Sequence, residues 1–231
     1  MNSRSRFARP ALCAAIALVS FLLPTSQSHA YTITLRSGNG VIGNPDAVVK
    51  FNAVASGSCG VGFAAAVGLG DFAAAQGGVP AFVVPPFGPW LHHLTCDSLA
   101  QWNSINANST PLSALYAYTF FIPAPCCFTR ATLDFCWVAD DALGDAINPA
   151  GVYLNGVPIP AIAGGNYATE MSVNGIDVLP MLQCGQNTLY VYDRDIACVV
   201  SGVMFSATIN AKDCFTAAQP STWCGIKSLY R

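Results

Sequence analysis

The chain has 231 residues, 53% of them hydrophobic, and a formal net charge of −2. Charged residues are 10% of it, against roughly 25% in an average soluble protein. That hydrophobicity excludes a disordered chain, and the lack of any basic patch excludes nucleic acid as a partner. Arg4, Arg6 and Arg9 precede an apolar stretch from Ala11 through Leu23, then Pro24 and the small residues Ser28 and Ala30 around His29. This is the three-part layout of a secretory signal. The apolar run, about 13 residues, is shorter than the roughly 20 that a membrane span needs. Residues 1–30 are therefore predicted to be a signal peptide cleaved after Ala30. The mature part keeps seven Lys/Arg and twelve Asp/Glu, a net charge of 7 − 12 = −5. No later apolar run is long enough to span, so a secreted or surface-exposed protein without a transmembrane anchor is expected.

Nine cysteines remain after Cys13 leaves with the signal: Cys59, Cys96, Cys126, Cys127, Cys136, Cys184, Cys198, Cys214 and Cys224. Exported proteins keep disulfides because their compartment is oxidising, and no C-x-x-C pair favours a metal instead. An odd count leaves one thiol free or bonded to another chain. Cys214 and Cys224 are placed to close a tail loop. The vicinal pair Cys126 and Cys127 is expected to tie one strand to two neighbours rather than strain the peptide between them.

Period-2 alternation recurs along the chain and marks half-buried strands. Tyr31, Ile33 and Leu35 alternate with Thr32, Thr34 and Arg36. Further strands are predicted at Val48–Val54, Ala81–Val84, Leu115–Ile122, Thr132–Trp137, Gly151–Leu154, Ala168–Val173, Thr188–Tyr192 and Val199–Ile209. The Gly- and Ala-rich stretch 57–78 reads as an irregular insertion pinned by Cys59, with too many glycines for a helix to be expected. Asn155-Gly156 supplies the positive φ of a tight hairpin turn. Gly185 and Asn187 turn the chain into a strand, with the Asn side chain bonding local backbone. Gly202 signals a bulge or close packing. About ten short strands with Gly- and Pro-rich turns make an all-β sandwich over residues 31–209, followed by a Cys-containing tail, 210–231.

Leu133-Asp134-Phe135-Cys136-Trp137-Val138-Ala139-Asp140-Asp141 is followed by Gly151-Val152-Tyr153-Leu154-Asn155-Gly156-Val157. Then come Cys184-Gly185-Gln186-Asn187-Thr188-Leu189-Tyr190-Val191 and the glycine-containing Ser201-Gly202-Val203-Met204-Phe205. This order resembles the galactose-binding-like jelly roll, both the sugar-binding domain of β-galactosidase-type glycosidases and lone modules of exported bacterial proteins. The resemblance covers about 80 residues and implies a jelly-roll β-sandwich, here with disulfide-linked loops. It is specific for architecture and poor for activity, because such folds host many functions.

Asp140, Asp141 and Asp145 form an acidic cluster in which hard oxygen ligands could hold calcium. The resemblance implies a structural calcium in such a loop. The spacing is not a recognised calcium loop, and a solvated turn that bonds backbone amides is the alternative reading. Asp193 and Asp195 flank Arg194 in what reads as a polar turn. Trp90, His92, His93, Trp102 and Tyr167, with Glu170, suit a glycan site at the sandwich rim, where aromatic faces stack on sugar rings. Core packing is the alternative for the tryptophans, because large aromatics are mostly buried. No nucleophile or metalloprotease motif is present. The expected function is non-catalytic binding of an extracellular glycan. A structural or assembly protein, bonding to itself or to other surface proteins, is the second reading, and a polysaccharide hydrolase the third.

Overall fold

The computed structural model describes residues 30–214, residues 56 and 125 excepted. The predicted signal peptide up to residue 29, Cys224 and the tail beyond Cys214 lie outside the described residues. In chain order the strands are β1 (Ala30–Arg36), β2 (Pro45–Ala53), β3 (Val79–Val84), β4 (Trp102–Ser104), β5 (Ala114–Ile122) and β6 (Phe128–Ala139). They continue with β7 (Ala142–Leu143), β8 (Val152–Leu154), β9 (Val157–Pro158), β10 (Met171–Asp177), β11 (Gly185–Arg194) and β12 (Val203–Asp213). The fold is thus all-β, as the alternation predicts. One layer runs β10-β6-β12-β1, every pair antiparallel. The other runs β3-β2-β5-β11-β8-β9, with β7 against the end of β11. Short β4 bonds β3 on one side and β12 on the other. The two layers are therefore one curled 12-stranded sheet rather than two separate ones.

Alternation decides which side chains meet inside. Leu133, Phe135 and Trp137 of β6 and Phe205, Ala207 and Ile209 of β12 share one buried cluster with Tyr116 of β5, Val152 of β8, and Leu189 and Val191 of β11. Each large apolar side chain removed from water contributes about 1.5–3 kcal/mol, so this shared interior holds the layers together. The Asn155-Gly156 turn has the expected positive φ at both residues, 52° and 81°, and joins β8 to β9. Asn187 accepts from the Gln183 N–H and donates to the carbonyls of Gln183 and Gly185.

Three expectations need correction. The 57–78 stretch is not wholly irregular: Leu69–Gly77 forms a helix, α1. The Asp71 carboxylate accepts from the Gly68 N–H at its start, and Phe72 and Ala75 bury one face. The Ala73–Ala75 run favours helix, and that burial outweighs the flanking glycines. The sandwich does not stop at residue 209, because β12 continues to Asp213 and Cys214 is bonded within it. Cys214 does not close a tail loop with Cys224 but bridges Cys127. The other bridges are Cys59–Cys198, Cys96–Cys136 and Cys126–Cys184. The vicinal cysteines thus reach two different partners, as expected, and Cys59 pins its segment. Four disulfides fit an oxidising compartment. Among the described residues no helix is long and apolar enough to cross a membrane.

Candidate functional site

The outer face of the β10-β6-β12-β1 layer carries the polar half of the alternation. Register sets it in rows: Ser172, Cys136, Ser206 and Arg36 lie across one line, and Asp134, Thr208 and Thr34 across the next. A bulge between Val173 and Ile176 interrupts β10. Gly175 within it, at φ 72°, donates its N–H to Asp134 at 2.8 Å. Asn210 donates to the other Asp134 oxygen at 3.2 Å. Ser206 donates to Asp97, which also pairs with Arg36, both at 2.8 Å.

Two loops wall this face. The first, residues 85–101, rests on Trp90 and Trp102. Their rings stack with centroids 4.1 Å apart, and both are buried, at 2% and 1% exposure. Trp90 Nε1 donates to Asp140 at 2.6 Å and Trp102 Nε1 to the Leu91 carbonyl at 2.7 Å. These tryptophans are therefore loop supports with no free face for a sugar, which corrects their expected place at the rim. Their burial leaves His92 and His93 exposed on the loop surface, and the Cys96–Cys136 bridge anchors the loop to β6. The second loop, 164–170, lies on Trp137, whose Nε1 donates to the Gly164 carbonyl. A Cβ at Gly165 would sit 2.8 Å from that nitrogen, so the close approach requires glycine.

The loops are tied together. The Leu91 N–H donates to the Tyr167 carbonyl at 2.8 Å, and Glu170 accepts from the N–H groups of Thr95 and Cys96. Tyr167 is exposed. Between them lies a cleft of about 310 Å³ lined by Thr95, Asp134, Glu170, Ser172, Asn174, Ser206 and Thr208. His92, His93 and Tyr167 thus sit on the two loops that wall it. The floor was missed from sequence, although the polar positions alternating with Phe135, Val173 and Phe205 carried the signal.

The acidic residues separate. One carboxylate oxygen each from Asp140, Asp141 and Asp195 lie within 4.8 Å of one another. Asp145 is not among them, which corrects the expected set. It accepts from Tyr192 Oη at 2.8 Å and from the N–H groups of Ile147 and Asn148, beside Arg194 at 3.9 Å. Asp145, Ile147 and Arg194 border a second, more apolar cleft of about 580 Å³. Asp193 and Asp195 do not form an exposed turn: both are 1% exposed, and Asp193 belongs to β11. Asp195 accepts from the N–H groups of Gly60 and Cys198, and Asp141 from those of Ile196 and Ala197. Asp193 takes the Ser201 hydroxyl on one oxygen, and its other oxygen is buried without a partner.

Burial pushes the Asp140 carboxyl up to about 6, against the Trp90 hydrogen bond and with help from the charges of Asp141 and Asp195. Burial likewise raises Asp193 well above the ordinary value, with Ser201 opposing and Asp140, Asp141 and Asp195 reinforcing. Ionised together, these groups repel one another, and a cation would relieve that.

No protein-family model matches the chain, and no curated protein does. Among solved structures it is similar to the Arthrobacter globiformis T6 isomalto-dextranase complexed with panose, at 9% identity and a TM-score of 0.28. The match covers 80% of this chain and 33% of that chain, so this protein spans about a third of that enzyme's length.

Proposed function

We propose that this is an exported, non-catalytic, galactose-binding-like β-sandwich protein that binds an extracellular glycan. The observation that carries the reading is the set of hydroxyl, amide and carboxylate rows on the outer face of β10, β6 and β12, walled by two loops that are tied to each other and to β6. A glycan presents many hydroxyls at fixed spacing, and a rigid array of alternating donors and acceptors matches it at low ordering cost. Tyr167, His92 and His93 supply the rim. Asp134 and Glu170 already accept backbone N–H groups, which favours positioning over proton transfer.

Asp140, Asp141 and Asp195 are proposed to hold a structural calcium. Their all-carboxylate donor set suits a hard cation, and the unpartnered Asp193 oxygen lies in the same negative neighbourhood. The ion would act through Trp90, which joins Asp140 to the loop wall.

A glycan array with the mature chain, with and without calcium, tests the reading. Binding that Asp134→Ala and Thr208→Ala each reduce at least tenfold is expected. Failure to bind any glycan in either condition, or binding indifferent to both substitutions, overturns it.

A further inference from the structure

We propose that the free edge of β1 pairs antiparallel with the β1 edge of a second copy of this chain. Among the described residues β1 pairs with β12 alone. The Ser37 N–H, just past β1, donates to the Phe205 carbonyl at 3.0 Å. Backbone groups alternate sides along a strand. Leu35, Ile33 and Tyr31 therefore bond β12, while the N–H and C=O groups of Thr34 and Thr32 and the N–H of Arg36 point off the sheet. The Arg36 carbonyl on that side is taken by the Asn39 side chain at 2.5 Å, which closes the edge at its end. From Tyr31 to Leu35 the strand has no proline, charged side chain or bulge, the devices that normally protect an edge.

The occupant is a second β1 because the segment is complementary to itself. Pairing centred on Ile33 sets Thr32 opposite Thr34 twice, and each such pair exchanges two backbone hydrogen bonds. Ile33 faces its own copy at a position whose backbone groups are already used by β12, so the two ladders do not compete. Exposed Tyr31 faces Leu35 of the other copy. Arg36, the one charged side chain on the strand, lies at the outer end of the pairing and is held by Asp97. The row of Asp134, Thr208 and Thr34 reaches this edge. Pairing continues it across a two-fold axis into an eight-stranded polar face. Where the glycan reading holds, that face presents two clefts to one polymer, and avidity follows.

The test is sedimentation of residues 31–231 in a Cys224→Ser background, which prevents a Cys224 bridge from imitating the dimer. A dimer that forms as concentration rises is expected, with Thr34→Pro weakening it about ten- to a hundredfold through loss of two interchain bonds. Proline is tolerated where an edge N–H is free, so the circular dichroism and the four disulfides should be unchanged. Hydrogen exchange gives a second readout. The Thr32 and Thr34 amides should slow as concentration rises, while Ile33 and Leu35 stay slow throughout. A monomer at every concentration, or a dimer that Thr34→Pro leaves intact, overturns the proposal. So does protection of Thr32 and Thr34 in a monomer, which would mean that the chain's own residues cover the edge. A dimer that binds no glycan sinks the functional reading and leaves this one standing.

Discussion

Asp140→Asn should remove a defined part of the pH dependence of folding. The Asn side chain can still accept from Trp90 Nε1 across 2.6 Å, so the substitution isolates the charge. The Asp140 carboxyl titrates near 6 in the folded chain against an ordinary 3.8. The folded state therefore binds the proton more tightly than the unfolded state. Stability is greatest below the ordinary value and falls as pH rises through about 6. At 1.36 kcal/mol per pH unit, the displacement from 3.8 to about 6 corresponds to about 3 kcal/mol. For a domain of this size that is about 6–12 °C in Tm. Asp193 is displaced in the same direction and steepens the fall. Scanning calorimetry in a chelator should show the wild type losing this stability between about pH 4 and pH 7, and Asp140→Asn losing less by about that amount. Calcium should flatten the wild-type curve, because it stabilises the ionised carboxylates. Identical pH slopes for the two proteins in chelator would refute the reasoning.

Asp46→Ala should cost about 5 kcal/mol, read from the urea midpoint, because five donors lose one buried carboxylate at about 1 kcal/mol each. Those donors are the N–H groups of Gly38, Asn39, Val48 and Val49 and the Asn103 amide. An unchanged midpoint would contradict that count. Gly202→Ala should destabilise by about 1–3 kcal/mol and alter tryptophan fluorescence, since its Cβ would lie 2.8 Å from the Trp90 ring and 3.1 Å from the Asn103 carbonyl. Replacing Cys96 and Cys136 together by Ser opens a loop of 40 residues' separation and should cost about 4 kcal/mol on the chain-entropy account. The same change should weaken glycan binding, measured by calorimetric titration, while far-ultraviolet circular dichroism holds.

The strands were legible because alternation is a local pattern that the core enforces: Trp137 and Leu189 point inward as their neighbours imply. Turn chemistry was equally local at Asn155, Gly156 and Asn187. The site was less so. Trp90 and Trp102 look identical in sequence whether they stack on a sugar or on each other, and only the loop's return onto β6 decides it. Asp193 and Asp195 surround an arginine and look solvated, yet β11 carries Asp193 inward beside Tyr116, and backbone N–H groups compensate Asp195. Which acid joins Asp140 and Asp141 depends on where the chain returns after β11, a distance of more than fifty residues. The cleft floor was hidden differently: its residues are common polar strand positions, and only register brings them together.

The four bridges close loops that together run from Cys59 to Cys214, and among the described residues no covalent loop includes β1 or β2. From Cys59 to Cys214 the chain is a covalent mesh that survives melting while oxidised. The N-terminal strands are joined to it without a covalent bridge: β1 by one backbone ladder to β12, β2 by ladders to β3 and β5, with anchors such as Leu35 and Val49. A pull on the N-terminus therefore meets β1 first, a strand held by its single ladder to β12 and locked by no bridge.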